Sequence, residues 1–209
     1  MTTIHHLSLP TDSSSIRKLR VGDMVMLDGE IMIGGGLPTH ERILDNLRLN
    51  LPVPPAVSLG SLFHLGVQTT PSANGGPDDM RFMNPTTSTR FNHLMPDVIR
   101  ALDLKVVGGK GGLDAASVAA MKEVGCVYLS FIGGACPLLS EAAEEVVSED
   151  WRDLTSHYRI RVLRVRALGP ATVGIDAHGN SIFADLSAQA RSRKPDILRA
   201  LGAAREAMH

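Results

Sequence analysis

Aromatic residues make up only 4% of this 209-residue chain. The core therefore has to be built from Leu, Val, Ile, Ala and Met, and the stacking platforms that hold single-stranded nucleic acid are excluded. Cysteine is nearly absent. Cys126 and Cys136 cannot form a disulfide scaffold, and alone they supply neither a structural zinc site nor the usual thiolate set of an iron–sulfur cluster. Cys126 lies in an apolar run and reads as a small buried hydrophobe; Cys136, after Gly133-Gly134-Ala135, reads as more accessible but structural. No charge sign dominates: 21 Lys and Arg face 22 Asp and Glu, so no global field draws nucleic acid or a membrane surface. No apolar run approaches the roughly 20 residues of a membrane span. The first 15 residues are polar, with His5 and His6, and lack a secretory apolar stretch. These absences lead to the expectation of a cytoplasmic protein with neither nucleic-acid nor membrane partners.

Against them stands one dense stretch, Asn84-Pro85-Thr86-Thr87-Ser88-Thr89-Arg90, followed about one helix later by Gly108-Gly109-Lys110-Gly111-Gly112. Hydroxyls at a loop-to-helix junction can bond the free amides of the helix start and leave others for a ligand. Anions favour that helix end, and Arg90 suits a bidentate carboxylate. The Gly-Lys-Gly loop follows a strand and precedes a helix. That puts Lys110 at the carboxyl end of a strand, where open α/β sheets bind ligands. It is neither a Walker A loop nor a dinucleotide fingerprint. The two motifs together point to a surface for a small polyanion; taken singly, they also read as a capping cluster and a tight turn. Gly133-Gly134, at the next strand end, shares the rim as close packing or as an anion contact. His40, at a helix start, is a general acid or a cap-region polar residue. His64, in an apolar run, reads as a satisfied core histidine.

Residues 1–20 read as a leader that folds onto the domain or stays loose, and 21–209 as a single domain. Asp28-Gly29 predicts a hairpin between strands 24–27 and 30–33. Thr39 is placed to cap a helix over 40–49. A buried strand spans 61–68, and the Thr-, Pro- and Gly-rich 69–79 is a long loop. Then come a helix over 93–102, a strand over 105–108, a helix capped by Asp114 through 124, a strand over 127–132 and a helix over 137–147. Residues 159–167 predict a strand with one solvated basic face. A strand pair, 171–175 and 181–184, surrounds 177–180, and a helix spans 194–208. Strand–helix alternation between 61 and 147 predicts an α/β fold with parallel strands and an additional antiparallel β layer.

In this order, Val21-Gly22-Asp23, the His40 helix, Pro85-Thr86-Thr87-Ser88-Thr89-Arg90, Gly109-Lys110-Gly111, Tyr128-Leu129-Ser130 with Ile132-Gly133-Gly134-Ala135, and Ile175-Asp176-Ala177-His178-Gly179-Asn180-Ser181 resemble the beta subunit of iron–sulfur hydro-lyases, the class I fumarases and L-tartrate dehydratases. The resemblance covers roughly residues 20–190. It implies a swivelling β/β/α domain that contributes half an active site, with a 4Fe-4S cluster held by a separate alpha subunit. It further implies a homodimer or heterotetramer acting on a small hydroxy-dicarboxylate. By position, Thr86 and Lys110 correspond to catalytic residues, and Thr87, Ser88, Arg90, Lys110, Gly111 and His40 to substrate contacts. The pattern departs at 34–38, where Gly-Gly-Gly-Leu-Pro stands in place of the family's Arg-Asp pair, and at Asn84, where a glycine is usual. A non-catalytic paralogue, acting as an interaction or small-anion-binding subunit, is the alternative that this departure leaves open.

Overall fold

A computed structural model describes residues 4–73, 75–76, 78–134 and 136–206. Ala135 of the glycine turn, Asn74 and Pro77 of the expected loop, residues 1–3 of the leader and the end of the helix expected to reach 208 lie outside the described residues. In chain order the elements are β1 (Ile4–Leu9), α1 (Ser13–Ile16), β2 (Met24–Ile33), α2 (Leu37–Arg48), β3 (Ser61–Phe63), β4 (Leu65–Thr70), β5 (Asp79–Pro85) and α3 (Met95–Ala101). They continue with β6 (Val106–Gly109), α4 (Ala115–Val124), β7 (Val127–Ser130), α5 (Cys136–Glu141), β8 (Ala143–Asp150), β9 (Ile160–Ile175) and α6 (Ile182–Glu206).

The main sheet runs β1-β2-β3-β6-β7-β9-β8. Its first five strands are parallel, and β9 and β8 add antiparallel pairs. Strand β9 also pairs antiparallel with β2, so β2, β3, β6, β7 and β9 form a closed ring of pairings. A second sheet holds only β4 and β5. The expected mixed α/β architecture with an extra antiparallel layer is therefore present.

Side-chain alternation along the strands explains the layering. Ile31, Ile33, Val106, Val127 and Leu129 point to one face, where they join Leu65, Val67 and Met83 of the second sheet and Leu139 of α5. Met32, Val107 and Tyr128 point to the other, against Ile43 of α2, Val98 of α3 and Met121 of α4. Parallel strands covered on both faces read as nearly unbroken apolar runs, as here. Residues 4–19 are part of this construction: β1 pairs along β2, and Leu7, Leu9, Ile16 and Leu19 are buried.

Several local expectations give way to tertiary structure. The Asp28-Gly29 hairpin is instead one ten-residue strand, β2. Gly29, at φ +105°, sits where a Cβ would overlap the Leu9 carbonyl, and the β2–β9 register shifts on its N-terminal side. The Asp-Gly pair thus marks a bulge. Helix α2 starts at Leu37 with Pro38 in its first turn, so Thr39 is inside the helix, its hydroxyl donating to the Tyr158 carbonyl at 2.5 Å. The strand expected over 61–68 breaks at His64, where the chain changes sheets. Thr69, Thr70 and Asp79 of the expected loop belong to β4 and β5. The helix expected over 137–147 stops at Glu141, because 143–150 pair as β8 along the edge of β9, overriding local helix propensity. Residues 159–167 and 171–175 merge into the sixteen-residue β9, and Arg161, expected on its solvated face, is buried against Glu149 at 2.6 Å. The strand expected over 181–184 reduces to one bridge, Ile175 to Ser181, before α6 begins at Ile182. The Asp114 cap and α4 agree with expectation: Asp114 accepts the Ser117 amide at 2.9 Å.

Candidate active site

The sheet switch at His64 builds the site. His64 still donates its amide to the Gly108 carbonyl at 2.7 Å, and then the chain departs into β4. The returning end of β5 takes the vacated place beside β6. The Thr86 amide donates to the His64 carbonyl at 2.8 Å, the Lys110 amide to the Thr86 carbonyl at 3.1 Å, and the Ser88 amide to the Lys110 carbonyl at 2.8 Å. Thr87 and Lys110 form a parallel bridge. The two motifs, separated in sequence by α3, are thereby adjacent strands.

Gly111 and Gly112 then turn the chain away at φ +84° and +77°, left-handed values that L side chains rarely adopt. A Cβ on Gly111 would stand 3.4 Å from the Thr87 methyl and 3.9 Å from the Thr89 methyl. A Cβ on Gly133 would stand 3.7 Å from the Lys110 ammonium, so the loop after β7 borders the same lysine. Thr86, Thr87 and Lys110 are half-buried, and Thr89, Arg90 and Gly111 are exposed. Among the described residues, the hydroxyls of Thr86, Thr87 and Thr89, the Arg90 guanidinium and the Lys110 ammonium have no side-chain partner. An unengaged ammonium on one strand end, beside the unengaged hydroxyls of Thr86 and Thr87 on the next, suits a small anion. A cavity of about 580 Å³ adjoins this rim, bounded by Thr89, Gly111, Asp114, Phe183 and Arg191.

Ser88 and His40, two of the expected substrate contacts, lie beneath the rim without accessible surface. The Ser88 hydroxyl is 2.8 Å from His64 Nδ1 and 2.8 Å from the Tyr128 hydroxyl. His64 Nε2 is 3.2 Å from His40 Nε2, and His40 Nδ1 is 2.7 Å from the Gly36 carbonyl. Phe91 stacks on His40 with ring centres 4.3 Å apart and tilts against His64 at 4.6 Å. Burial lowers the His40 pKa to about 4, with the Gly36 bond opposing and the His93 charge adding to the shift. Burial, with His40 nearby, also takes His64 well below the ordinary range. Burial pushes the Tyr128 hydroxyl up to about 12 although Ser88 bonds to it. Sequence reading missed Tyr128 and Phe91; the one available signal was a tyrosine inside an apolar strand of an aromatic-poor chain.

The glycine loop at 34–36 is closed. The Tyr158 ring occupies the space a Cβ on Gly36 would need, and Gly35 packs on the Leu65 carbonyl. Arg42 and Arg81, two arginines near this part of the fold, are occupied elsewhere. Arg42 pairs with Asp153 at 2.6 Å and lies over Trp151, and Arg81 donates to Thr70 at 3.0 Å. Cys126 is buried, which pushes its thiol pKa up, and Cys136 is half-buried. Among the described residues, no group of three or more His, Cys, Asp or Glu side chains could hold a metal ion. Nor, among the described residues, is any helix long and apolar enough to cross a membrane.

A mixed α/β domain with a lysine- and hydroxyl-bearing rim at a sheet switch is the class that fold and site define. The chain belongs to the fumarase C-terminus family, whose model matches residues 2–186. It is 28% identical over 179 residues to the L(+)-tartrate dehydratase subunit beta of Escherichia coli (strain K12), covering 86% of each chain. It is 31% identical over 180 residues to a Geobacillus stearothermophilus protein provisionally named fumarate hydratase class I, covering 86% of this chain and 34% of that one. It is also similar, at 27% identity over 186 residues, to a Methanocaldococcus jannaschii protein provisionally named L(+)-tartrate dehydratase subunit beta.

Proposed function

We propose that this chain is the beta subunit of a hydro-lyase that reversibly hydrates or dehydrates a small hydroxy-dicarboxylate and is active only with a cluster-bearing alpha subunit. The observation that carries this reading is the hydrogen-bonded pairing of the Thr86–Ser88 segment with Lys110, with the cations unengaged. Arg90 and Lys110 bind the substrate carboxylates, assisted by Thr87 and the Gly111 backbone. The Thr86 side chain, in its ionised form, accepts the carbon-bound proton and becomes the neutral hydroxyl. A threonine is a weak base, and adjacent positive charge favours its ionised form. Lewis-acid activation of the leaving hydroxyl is what a partner-held 4Fe-4S cluster contributes when bound. His40 and Ser88 support the rim from below.

The test is anaerobic co-expression with an alpha-type, cysteine-rich partner and a screen over fumarate, tartrate, malate and mesaconate. Oxygen-sensitive turnover that falls at least a hundredfold in Lys110→Ala, with the unfolding midpoint unchanged, is the expected result. A cluster-loaded complex inert towards all of these acids favours the second reading, a non-catalytic subunit. That reading is supported by the closed Gly34–Gly36 loop and the engagement of Arg42 and Arg81.

A further inference from the structure

The buried groups beneath the rim form an unbroken chain whose protons can be ordered in only one way. At one end the Gly36 carbonyl can only accept, so His40 Nδ1 carries a hydrogen. Among the described residues no carboxylate contacts either ring, and both are sealed from water, which keeps them neutral. A neutral His40 then has a bare Nε2, and His64 Nε2 must donate to it. His64 Nδ1 is consequently bare and accepts the Ser88 hydroxyl hydrogen. Ser88 has no second hydrogen, so the Tyr128 hydroxyl donates to it. At the far end the Gly112 amide donates to the Tyr128 oxygen at 3.4 Å. Every polar hydrogen of the four side chains has an acceptor, and none is left over. Reversing the order would set a bare nitrogen against the Gly36 carbonyl at 2.7 Å. An added proton on His40 would confront His64 Nε2–H and force the reversal of every bond up to Tyr128, whose hydrogen would then lack a partner.

We propose that this one-way chain, from Gly112 through Tyr128, Ser88, His64 and His40 to Gly36, makes Tyr128 and His64 positioning residues for the rim. Ser88 is the point of transmission. Its amide is bonded to the Lys110 carbonyl, and its hydroxyl lies so close under Gly109 that any Cβ there would overlap it. Fixing the Ser88 side chain therefore fixes the register between Thr86, Thr87 and Lys110. The chain also joins the loops at both borders of the site, Gly34–Gly36 and Gly111–Gly112, through one set of hydrogen bonds. Besides the two rings themselves and the Tyr128 hydroxyl, the ionisable group acting on this cluster, among the described residues, is His93. The link from positioning to turnover rests on the hydro-lyase reading; the chain itself does not.

The test is long-range proton–nitrogen NMR on the full chain labelled with ¹⁵N-histidine, together with amide hydrogen exchange in the wild type and in Tyr128→Phe. His40 should show the Nδ1–H tautomer and His64 the Nε2–H tautomer, both unchanged from pH 8 to pH 5. Tyr128→Phe, which removes only the hydroxyl, should raise amide exchange at Ser88 and Lys110 at least tenfold while leaving Ile31, on β2, unaltered. Rapid tautomer averaging, opposite tautomers or a doubly protonated ring at pH 6 would overturn the ordered chain. Ordered tautomers with unchanged exchange at Ser88 and Lys110 would overturn the positioning role. An inactive complex with both NMR results as stated would count against the hydro-lyase reading and leave the positioning intact.

Discussion

Acid should weaken this fold as pH falls from 6.5 towards 4, and the buried histidines should be the cause. His40 is held neutral down to about pH 4, against 6.5 for a free imidazole. In the window between those values the unfolded chain binds a proton that the folded chain refuses. Stability therefore rises with pH there, being fully present above 6.5 and lost as pH falls towards 4. The difference corresponds to about 3 kcal/mol for His40. His64, depressed by burial and by its neighbour, adds in the same direction. Asp176 does not tilt this window. Burial opposes its ionisation, but bonds from Asn180 and the His178 amide hold its pKa below 3.8, so its contribution is lost only in stronger acid. Urea unfolding followed by the fluorescence of the sole tryptophan, Trp151, at half-unit pH steps would measure the slope. His40→Asn serves as the comparison, because its pH slope rather than its absolute stability is the readout. A wild-type stability that is flat between pH 6.5 and 4, or an undiminished slope in His40→Asn, would refute the reasoning.

Two further perturbations test the packing on either side of the rim. Gly109→Ala pushes a methyl into the Ser88 hydroxyl, with the His64 β-carbon at 3.1 Å and the Thr86 carbonyl at 3.3 Å; overpacking at such a site costs about 1–3 kcal/mol and should lower the melting temperature by several degrees. A melting point equal to the wild type would mean that Ser88 moves freely. Glu149→Gln removes the carboxylate that faces buried Arg161 at 2.6 Å and Arg159 at 2.9 Å, and should cost about 3–5 kcal/mol in urea unfolding. Glu145→Gln, which breaks only the exposed pair with Arg164, should cost under about 1 kcal/mol; equal losses for the two would contradict the assigned burial.

Most of the α/β core was legible because its signals are local. Asp114 capping α4, Pro96 in the first turn of α3 and the apolar runs of β6 and β7 each report on a few residues of chain. Three of the failures are non-local. Gly29 looks like a turn residue until Leu9 is known to pass beside it. The Ala- and Glu-rich stretch after 142 favours a helix until β9 presents an edge to it. Arg161 alternates with apolar residues as a surface arginine would, and only Glu149 on the neighbouring strand makes its burial tolerable. In the site, Lys110 and the hydroxyl run were legible as residue types at a strand end. That Ser88 points inward was not, because both faces of its segment carry polar side chains and no period separates them; His40, three and four residues before Ile43 and Leu44, shares their buried face of α2.

The position of His64 shows why the site is where it is. In a parallel sheet each strand end is normally flanked by its own neighbours, which leaves no opening for a ligand. Here β3 stops after three residues and its chain leaves for the second sheet, so the ladder beside β6 is vacated at Lys110. A segment arriving from the second sheet, residues 85–88, fills the gap without coming from a strand of the main sheet. Its first residue is a proline opposite Leu65, and its next three are hydroxyl-bearing. Ligands of α/β sheets collect where the strand order breaks, and this break is made by a single residue. His64 must give its backbone to both sheets and its ring to Ser88. An apolar residue could do the first but would leave one hydroxyl hydrogen of the Ser88–Tyr128 pair without an acceptor in a buried site. The histidine is therefore required at the switch by hydrogen bonding rather than by sheet formation, which ties the architecture of the rim to the proton order beneath it.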